Sequence, residues 1–260
     1  MSRIRFVLLI LIAVACVAPL ARASQPLETE TARTPRAHEV QIDATFERQT
    51  SEAGREIATP LAFEYGLTDR LELLLEPVFY TSIQPKIGSG ARGMGDIEAT
   101  LTGVVRRETR STPALATAFE VKIPTTHDPL IGTGKTDYTG YLIASKRMGR
   151  VDAHVNLGYS VLGRPAGVAL NNVWNYAAAA EWTLSRRFDL VGEAIRITSA
   201  LPEGSSEGES GVAQEIGGAE TVGMLGARLH TNDGITFALG VSYDNNQAWL
   251  VRPGVTLRLR

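Results

Sequence analysis

The sequence predicts an all-β chain, a single antiparallel up-and-down transmembrane β-barrel of about twelve strands covering residues 39–260. Three observations carry this. Apolar and polar residues alternate with period two along most of the chain, the signature of strands with two unlike faces. The alternating runs are mostly about 9 to 13 residues, longer than globular strands and close to the tilted length that crosses a bilayer. The links between them alternate short and long, as when tight turns gather at one rim of a barrel and loops at the other.

The chain opens with an address. Arg3 and Arg5 give a positive start, Phe6 to Ala15 an apolar core, and Ala21-Arg22-Ala23 a small-x-small site, so residues 1–23 read as a cleaved signal peptide. An apolar core of that length is too short to span a bilayer as a helix, which needs about 20 residues. Ala13-Val14-Ala15-Cys16 competes as a lipoprotein box, weakened by Ala13 where a large aliphatic is expected. Cleavage after Ala23 removes Cys16, the one cysteine, so the mature chain can form no disulfide. It leaves 23 basic and 28 acidic residues, which is no footprint for nucleic acid. No later stretch approaches 18 apolar residues, so any membrane crossing must use strands. Residues 24–38, polar and carrying two prolines, read as a disordered periplasmic lead-in.

Strands are expected near 40–48, 57–67, 70–80, 96–106, 113–123, 137–147, 151–162, 172–184, 187–199, 218–230, 234–244 and 247–259. The clearest is Val151 to Val161, with Val, Ala, Val, Leu, Tyr, Val on one face and Asp, His, Asn, Gly, Ser on the other. Ile235 to Asp244 repeats the pattern. Leu61 to Leu67, Leu71 to Tyr80, Asp96 to Arg106, Ala114 to Ile123 and Val173 to Leu184 follow it with faults. The segment 187–199 is the weakest, because Glu193 and Arg196 differ in parity and cannot share a face. Short links fall at Thr68-Asp69, Gly149-Arg150, Ser185-Arg186 and Thr231-Asn232-Asp233, with a longer one near Glu108 to Thr112. Long ones fall at Ser82 to Gly95, Pro124 to Thr136, Gly163 to Leu170 and Ala200 to Gly217, and Asn245-Asn246 breaks the rule by being short. This arrangement puts both termini on the short-turn, periplasmic side.

In the strand near 172–184, Trp174, Tyr176, Ala178, Ala180, Trp182 and Leu184 share a face. The two tryptophans lie roughly 26 Å apart along the strand, or some 20 Å of depth once tilted, close to the spacing of two aromatic girdles. Trp249 and Tyr159 fit the same belts; the alternative is a pair of core tryptophans. Glu64, Glu72, Glu76, Glu98, Glu120, Lys122, Glu181, Arg252 and Arg258 lie on the polar face, so they are expected to line the lumen. A charge on the lipid face would cost about 2–4 kcal/mol near mid-plane. Whether they border a conduit or close it by pairing stays open at this point.

Motifs that suggest chemistry fail on context. Gly88-Ser89-Gly90-Ala91-Arg92-Gly93 matches G-x-G-x-x-G but precedes a strand rather than a helix. Gly134-Lys135-Thr136 ends like a phosphate loop, yet Pro129 stands where its first glycine belongs. His38, His127, His154 and His230 show no metal-ligand spacing; His127-Asp128 could pair with a distant serine, and His154 and Ser160 sit about 20 Å apart on one strand. Glu203, Glu207, Glu209 and Glu215 read as a solvated acidic loop before a calcium site. No catalytic residue, metal ligand or cofactor site is therefore assigned.

Residues 93 to 162 resemble a family of outer-membrane barrels named for the meta-cleavage (MetA) pathway of phenol degradation. The resemblance rests on Gly93-Met94-Gly95-Asp96, on Ala118 to Thr125 ending Lys122-Ile123-Pro124-Thr125, on Gly132-Thr133-Gly134-Lys135-Thr136-Asp137-Tyr138, and on Ser145-Lys146 and Asn156-Leu157-Gly158-Tyr159. It implies an outer-membrane β-barrel transporting hydrophobic or aromatic compounds. One departure is the end Leu257-Arg258-Leu259-Arg260, which lacks the terminal aromatic common in barrels handed to the assembly machinery. The expectation is a passive, non-enzymatic outer-membrane channel for a small molecule, embedded in outer-membrane lipid and folded by the barrel-assembly machinery. Selectivity is expected from Ser82–Gly95, Pro124–Thr136 and the lumen charges. The alternatives are a closed structural or binding barrel working through its outer loops, an outer-membrane lipid hydrolase, and a soluble periplasmic β-protein.

Overall fold

A computed structural model describes residues 27–126, 128–202, 218–232 and 234–259. The expected signal peptide with Cys16, residues 24–26, His127 and the glutamates of the acidic loop lie outside the described residues. The strands are β1 (Val40–Thr45), β2 (Glu47–Thr50), β3 (Gly54–Thr68), β4 (Leu71–Pro85), β5 (Ala91–Gly93), β6 (Ile97–Arg106) and β7 (Ala114–Ile123). They continue as β8 (Asp137–Met148), β9 (Val151–Val161), β10 (Val173–Thr183), β11 (Phe188–Ile197), β12 (Glu220–Asn232), β13 (Ile235–Asp244) and β14 (Trp249–Leu259). Each pairs antiparallel with its chain neighbour, and β1 and β2 bridge β14 to β3, which closes the sheet. β1 with β2 forms one stave and β5 with β6 another, so fourteen segments make a twelve-strand barrel.

The closing seam is irregular for a chemical reason. β1 and β2 part at Phe46, opposite Pro253, which has no N–H for a ladder bond; Phe46 N–H instead donates to the Pro253 carbonyl at 3.0 Å. Pro60 sits where the β3–β4 register slips. Ser82 to Gly95, expected as a loop, is in part a hairpin: β4 runs on to Pro85, and Thr81–Ile83 pair with Ala91–Gly93. Gly88, with φ of +100°, makes the reversal that lets this ladder extend. The doubtful segment 187–199 is β11; Glu193 faces inward and Arg196 outward, where its guanidinium donates to Thr221 Oγ1 at 3.1 Å.

The two faces are inverted relative to a water-soluble barrel. On β9, Asp152, His154, Asn156 and Ser160 are buried while Val155, Leu157, Tyr159 and Val161 are exposed. Leu225 is 73% exposed and His154 2%. An apolar exterior over a polar interior is what a bilayer as solvent selects. Trp174 and Trp182 both stand on this exterior, so the girdle placement replaces the core one. Trp174 packs on Tyr159 and Trp249 on Tyr243, ring centroids 4.9 and 4.8 Å apart, near the long-loop ends of their strands.

Candidate functional site: a lumen holding its own N-terminal segment

Residues 27–38, expected as a disordered lead-in, instead run inside the barrel. The chain leaves β1 at the short-turn rim, where His38 N–H donates to the Gly66 carbonyl at 2.7 Å. Gly66 has no Cβ because the Arg36 carbonyl lies against that position. Ala32 N–H then donates to Ser145 Oγ at 2.8 Å. Glu30 pairs with Asn156 as one amide with another: its N–H donates to Oδ1 at 2.8 Å, and Nδ2 donates to its carbonyl at 2.9 Å. Glu28 N–H and the Thr29 hydroxyl donate to the Glu193 carboxylate. Asn156 and Glu193 lie five residues in from the short-turn ends of β9 and β11, so the segment reaches roughly 13 Å deep, near mid-plane.

The barrel wall is shaped for it. Ala114, Ala116 and Ala118 line the inner face of β7 and cluster with Ala32 and Ile143. Gly226 and Gly240 are register partners, and Leu27 Cδ1 lies where their Cβ atoms would stand, 2.7 and 3.3 Å away. Ion pairs fix both ends. Arg252 pairs with Glu28 and, at 3.0 Å, with Glu47. Arg33 reaches Glu108 at 2.7 Å and Asp152 at 2.9 Å. Glu108, in the turn before β7, is pushed up by partial burial, but hydrogen bonds from Arg33, the Arg147 N–H and Lys146 outweigh this and hold its carboxyl below the usual range.

The segment leans on one side of the lumen, from β7 round to β14. That wall is charge-compensated: Glu181 with Arg228, Asp189 with Arg228 at 3.8 Å, and Asp189 with His230 at 2.7 Å. The other wall carries the acids. Glu64, Glu72, Glu76, Glu98 and Glu120 stand on the inner faces of β3, β4, β6 and β7, climbing from Glu72 beside the short-turn rim to Glu98 near the other. Glu76 and Glu98 are direct register partners, a like-charge pair that costs stability in a sheet. Glu64 has the Gln41 amide at 2.7 Å and Glu120 the Tyr141 hydroxyl at 3.3 Å. Glu72, Glu76 and Glu98 have no hydrogen bond or ion pair among the described residues. Lys122, on the same wall, is taken by Asp137 at 2.5 Å and Asp96 at 3.9 Å. Thr102, register partner of Glu72, is 2% exposed and its hydroxyl is unpartnered.

All nine charged residues singled out from the sequence thus point inward, but into four settings. Five form the acidic wall with Lys122 at its upper end, Glu181 belongs to the compensated wall, and Arg252 grips the segment; Arg258 donates to Gln41 Oε1 at 2.6 Å. Sequence reasoning missed Asp152, Asp189, Glu193 and Arg228, which strand parity would have found. It missed Arg33, Glu28 and Leu27 because nothing local marks a polar tail as a lumen ligand. His154 meets Ser145, not Ser160: Oγ and Nδ1 are 2.8 Å apart. That hydroxyl also accepts the Ala32 N–H, so the pair serves as a tether, covered by the segment.

No protein-family model and no curated protein matches the sequence. Among solved structures, the chain is similar to the COG4313 outer membrane channel from Pseudomonas putida F1 (TM-score 0.65, 12% identity, covering 88% of this chain and 98% of that one). It is also similar to the NanC porin (0.59, 11%, 84% and 100%) and to the KdgM porin in complex with disordered oligogalacturonate (0.55, 10%, 85% and 99%). At these identities the likeness carries the fold, a closed antiparallel transmembrane β-barrel, and no substrate.

Proposed function

We propose that the protein is a passive outer-membrane channel for small hydrophilic solutes with a preference for cations, kept narrow by its own N-terminal segment. The observation that carries this is the position of residues 27–33 against the compensated wall. The space they leave is bordered by Glu64, Glu72, Glu76, Glu98 and Glu120. Three of these, Glu72, Glu76 and Glu98, have no hydrogen bond or ion pair among the described residues, and carboxylates so placed in a confined lumen attract cations and repel anions. The resemblance to the phenol-pathway family implies hydrophobic or aromatic permeants; a wall of glutamates, serines and threonines favours hydrophilic ones instead. The reading involves no chemical step. Outer-membrane placement, periplasmic termini and handling by the barrel-assembly machinery belong to the same proposal.

A second reading, a closed barrel acting through its loops, draws support from the filled lower lumen. Single-channel recording of the reconstituted mature chain in a planar bilayer separates the two. Small, cation-preferring current steps are expected. A folded barrel that stays silent would select the closed reading, and steps preferring anions would overturn the acidic conduit.

A further inference from the structure

The two rims carry opposite charge in their connections. The short-turn connections hold Arg70, Arg107, Arg110, Arg150, Arg186 and Arg187 against Asp69, Glu108 and Asp233. The long-loop connections reverse the balance, with three lysines and arginines against seven aspartates and glutamates. All six turn arginines are exposed, and none has a carboxylate within 4.0 Å among the described residues. Among the described residues, only the Arg107 guanidinium of these six hydrogen-bonds to protein, at the Asp69 carbonyl, 3.0 Å away. Glu108, the acid that could have answered them, is already held by Arg33 and Lys146.

The arginines lie on four of the five short turns, so the positive charge runs round most of the circumference. Directly behind it on the outer face stand exposed apolar side chains. Met148 precedes the Gly149-Arg150 turn, and Trp182 and Phe188 flank the turn of Arg186 and Arg187. Thr183, next to Trp182, donates its N–H to the Arg150 carbonyl at 2.9 Å. An annulus of guanidinium groups under a ring of apolar and aromatic side chains matches a leaflet edge, with phosphates above acyl chains. Guanidinium presents paired N–H donors to phosphate oxygens and is the side chain suited to that contact. A protein partner would meet a patch on one side; a lipid leaflet meets the whole ring.

We infer that the short-turn rim is a binding surface for anionic phospholipid headgroups, selecting phosphodiesters of net negative charge over zwitterionic ones. It rests on the reading that the outer face is embedded in lipid, and it is independent of whether the lumen conducts.

The chain has three tryptophans, which makes the test direct. A Trp174→Phe/Trp249→Phe protein keeps only Trp182 at the short-turn rim, and Trp174→Phe/Trp182→Phe keeps only Trp249 at the other. Each is reconstituted into vesicles of phosphatidylcholine and phosphatidylglycerol in which one or the other lipid is brominated, and quenching gives the relative affinity at each rim. Both leaflets have the same composition, so insertion direction does not matter. Phosphatidylglycerol should be favoured about threefold at Trp182, with no preference at Trp249, and 0.5 M salt should bring the ratio at Trp182 toward one. The six arginines changed to Gln should abolish the preference; retained heat-modifiable gel mobility would verify that variant's fold, and the salt series tests the inference without it. Equal ratios at the two rims, a preference that persists in salt, or one that survives the six substitutions would overturn the inference. No quenching by either lipid would overturn the embedding itself, an outcome distinct from a silent channel.

Discussion

The two halves of the lumen wall are built from the same alternating strands and solve opposite problems. The half from β7 to β14 answers its charges: Arg228 meets Glu181 and Asp189, and Arg252 and Asp152 meet partners on the N-terminal segment. The half from β3 to β6, with Glu120 at its edge, leaves glutamates in register without cations, Glu76 directly across from Glu98. Inward polarity is dictated by the bilayer outside, so it cannot by itself tell the halves apart. Compensation can: one wall is paired, and the other bears a standing cost that, on the function proposed above, a permeating cation would offset.

The strongest way to break this comparison is to remove what leans on the paired side. Deleting residues 27–38 should raise single-channel conductance severalfold, because it removes a chain that fills one side of the lumen; unchanged conductance would mean that the segment does not limit it. Charge reversal separates the walls next. Glu181→Lys should destabilise the barrel by about 3–5 kcal/mol in denaturant titration, since it breaks the buried pair and sets a second cation against Arg228. Glu76→Lys should instead lower cation selectivity in reversal-potential measurements with little loss of stability. Equal behaviour of the two variants would dissolve the distinction.

A subtler substitution probes the seat of the segment. The atoms nearest a Cβ at Gly240 belong to the side chains of Leu27 and Met224, so Gly240→Val should displace Leu27 at an overpacking cost of about 1–3 kcal/mol and make openings more frequent. Openings as rare as in the unsubstituted protein would remove Leu27 from the account. Glu76→Gln relieves the like-charge pair and should stabilise the fold by about 0.2–1 kcal/mol; a loss of stability would show that the pair is already compensated.

The smallest effect should be that of pH at the rim. Because the Glu108 carboxyl is held below its usual range, its contribution to anchoring Arg33 is complete above pH 4.5 and is lost as acid titrates through the lowered value. Openings should therefore increase as the pH falls below 4.5 through the lowered value, and Arg33→Gln should flatten that dependence; an unaltered acid response would assign it to another group.

Much of the barrel was legible because period-two alternation and turn spacing are local. Val151–Val161 is recovered residue for residue as β9, and even the faulty runs fall within a few residues of their strands. Parity alone directed the nine charged residues inward. What could not be read was whom they meet. The Arg252–Glu28 pair joins residues 224 positions apart, and Glu193 to Thr29 spans 164; no window of sequence contains both partners. The polar composition of residues 27–38 describes a disordered tail equally well as a chain hydrogen-bonded inside a polar lumen. The β4–β5 hairpin was hidden for a simpler reason, since its glycine-rich reversal looks like an open loop.

Closure of the sheet has a bearing on the order of events in time. β1 completes the barrel by pairing Val40 with Leu259, and the segment that fills the interior lies immediately upstream of β1. β1 finds β3 close by in the chain, but its second neighbour is the last strand, and contacts of such long range form slowly. Until then the glutamates of β3, β4 and β6 face an open trough rather than an enclosed lumen, and their mutual repulsion disfavours curling the sheet shut. Arg33 arrives with the sealing strand, so closing brings a cation to Glu108 and Asp152, while Glu72, Glu76 and Glu98 are enclosed with no ion pair among the described residues.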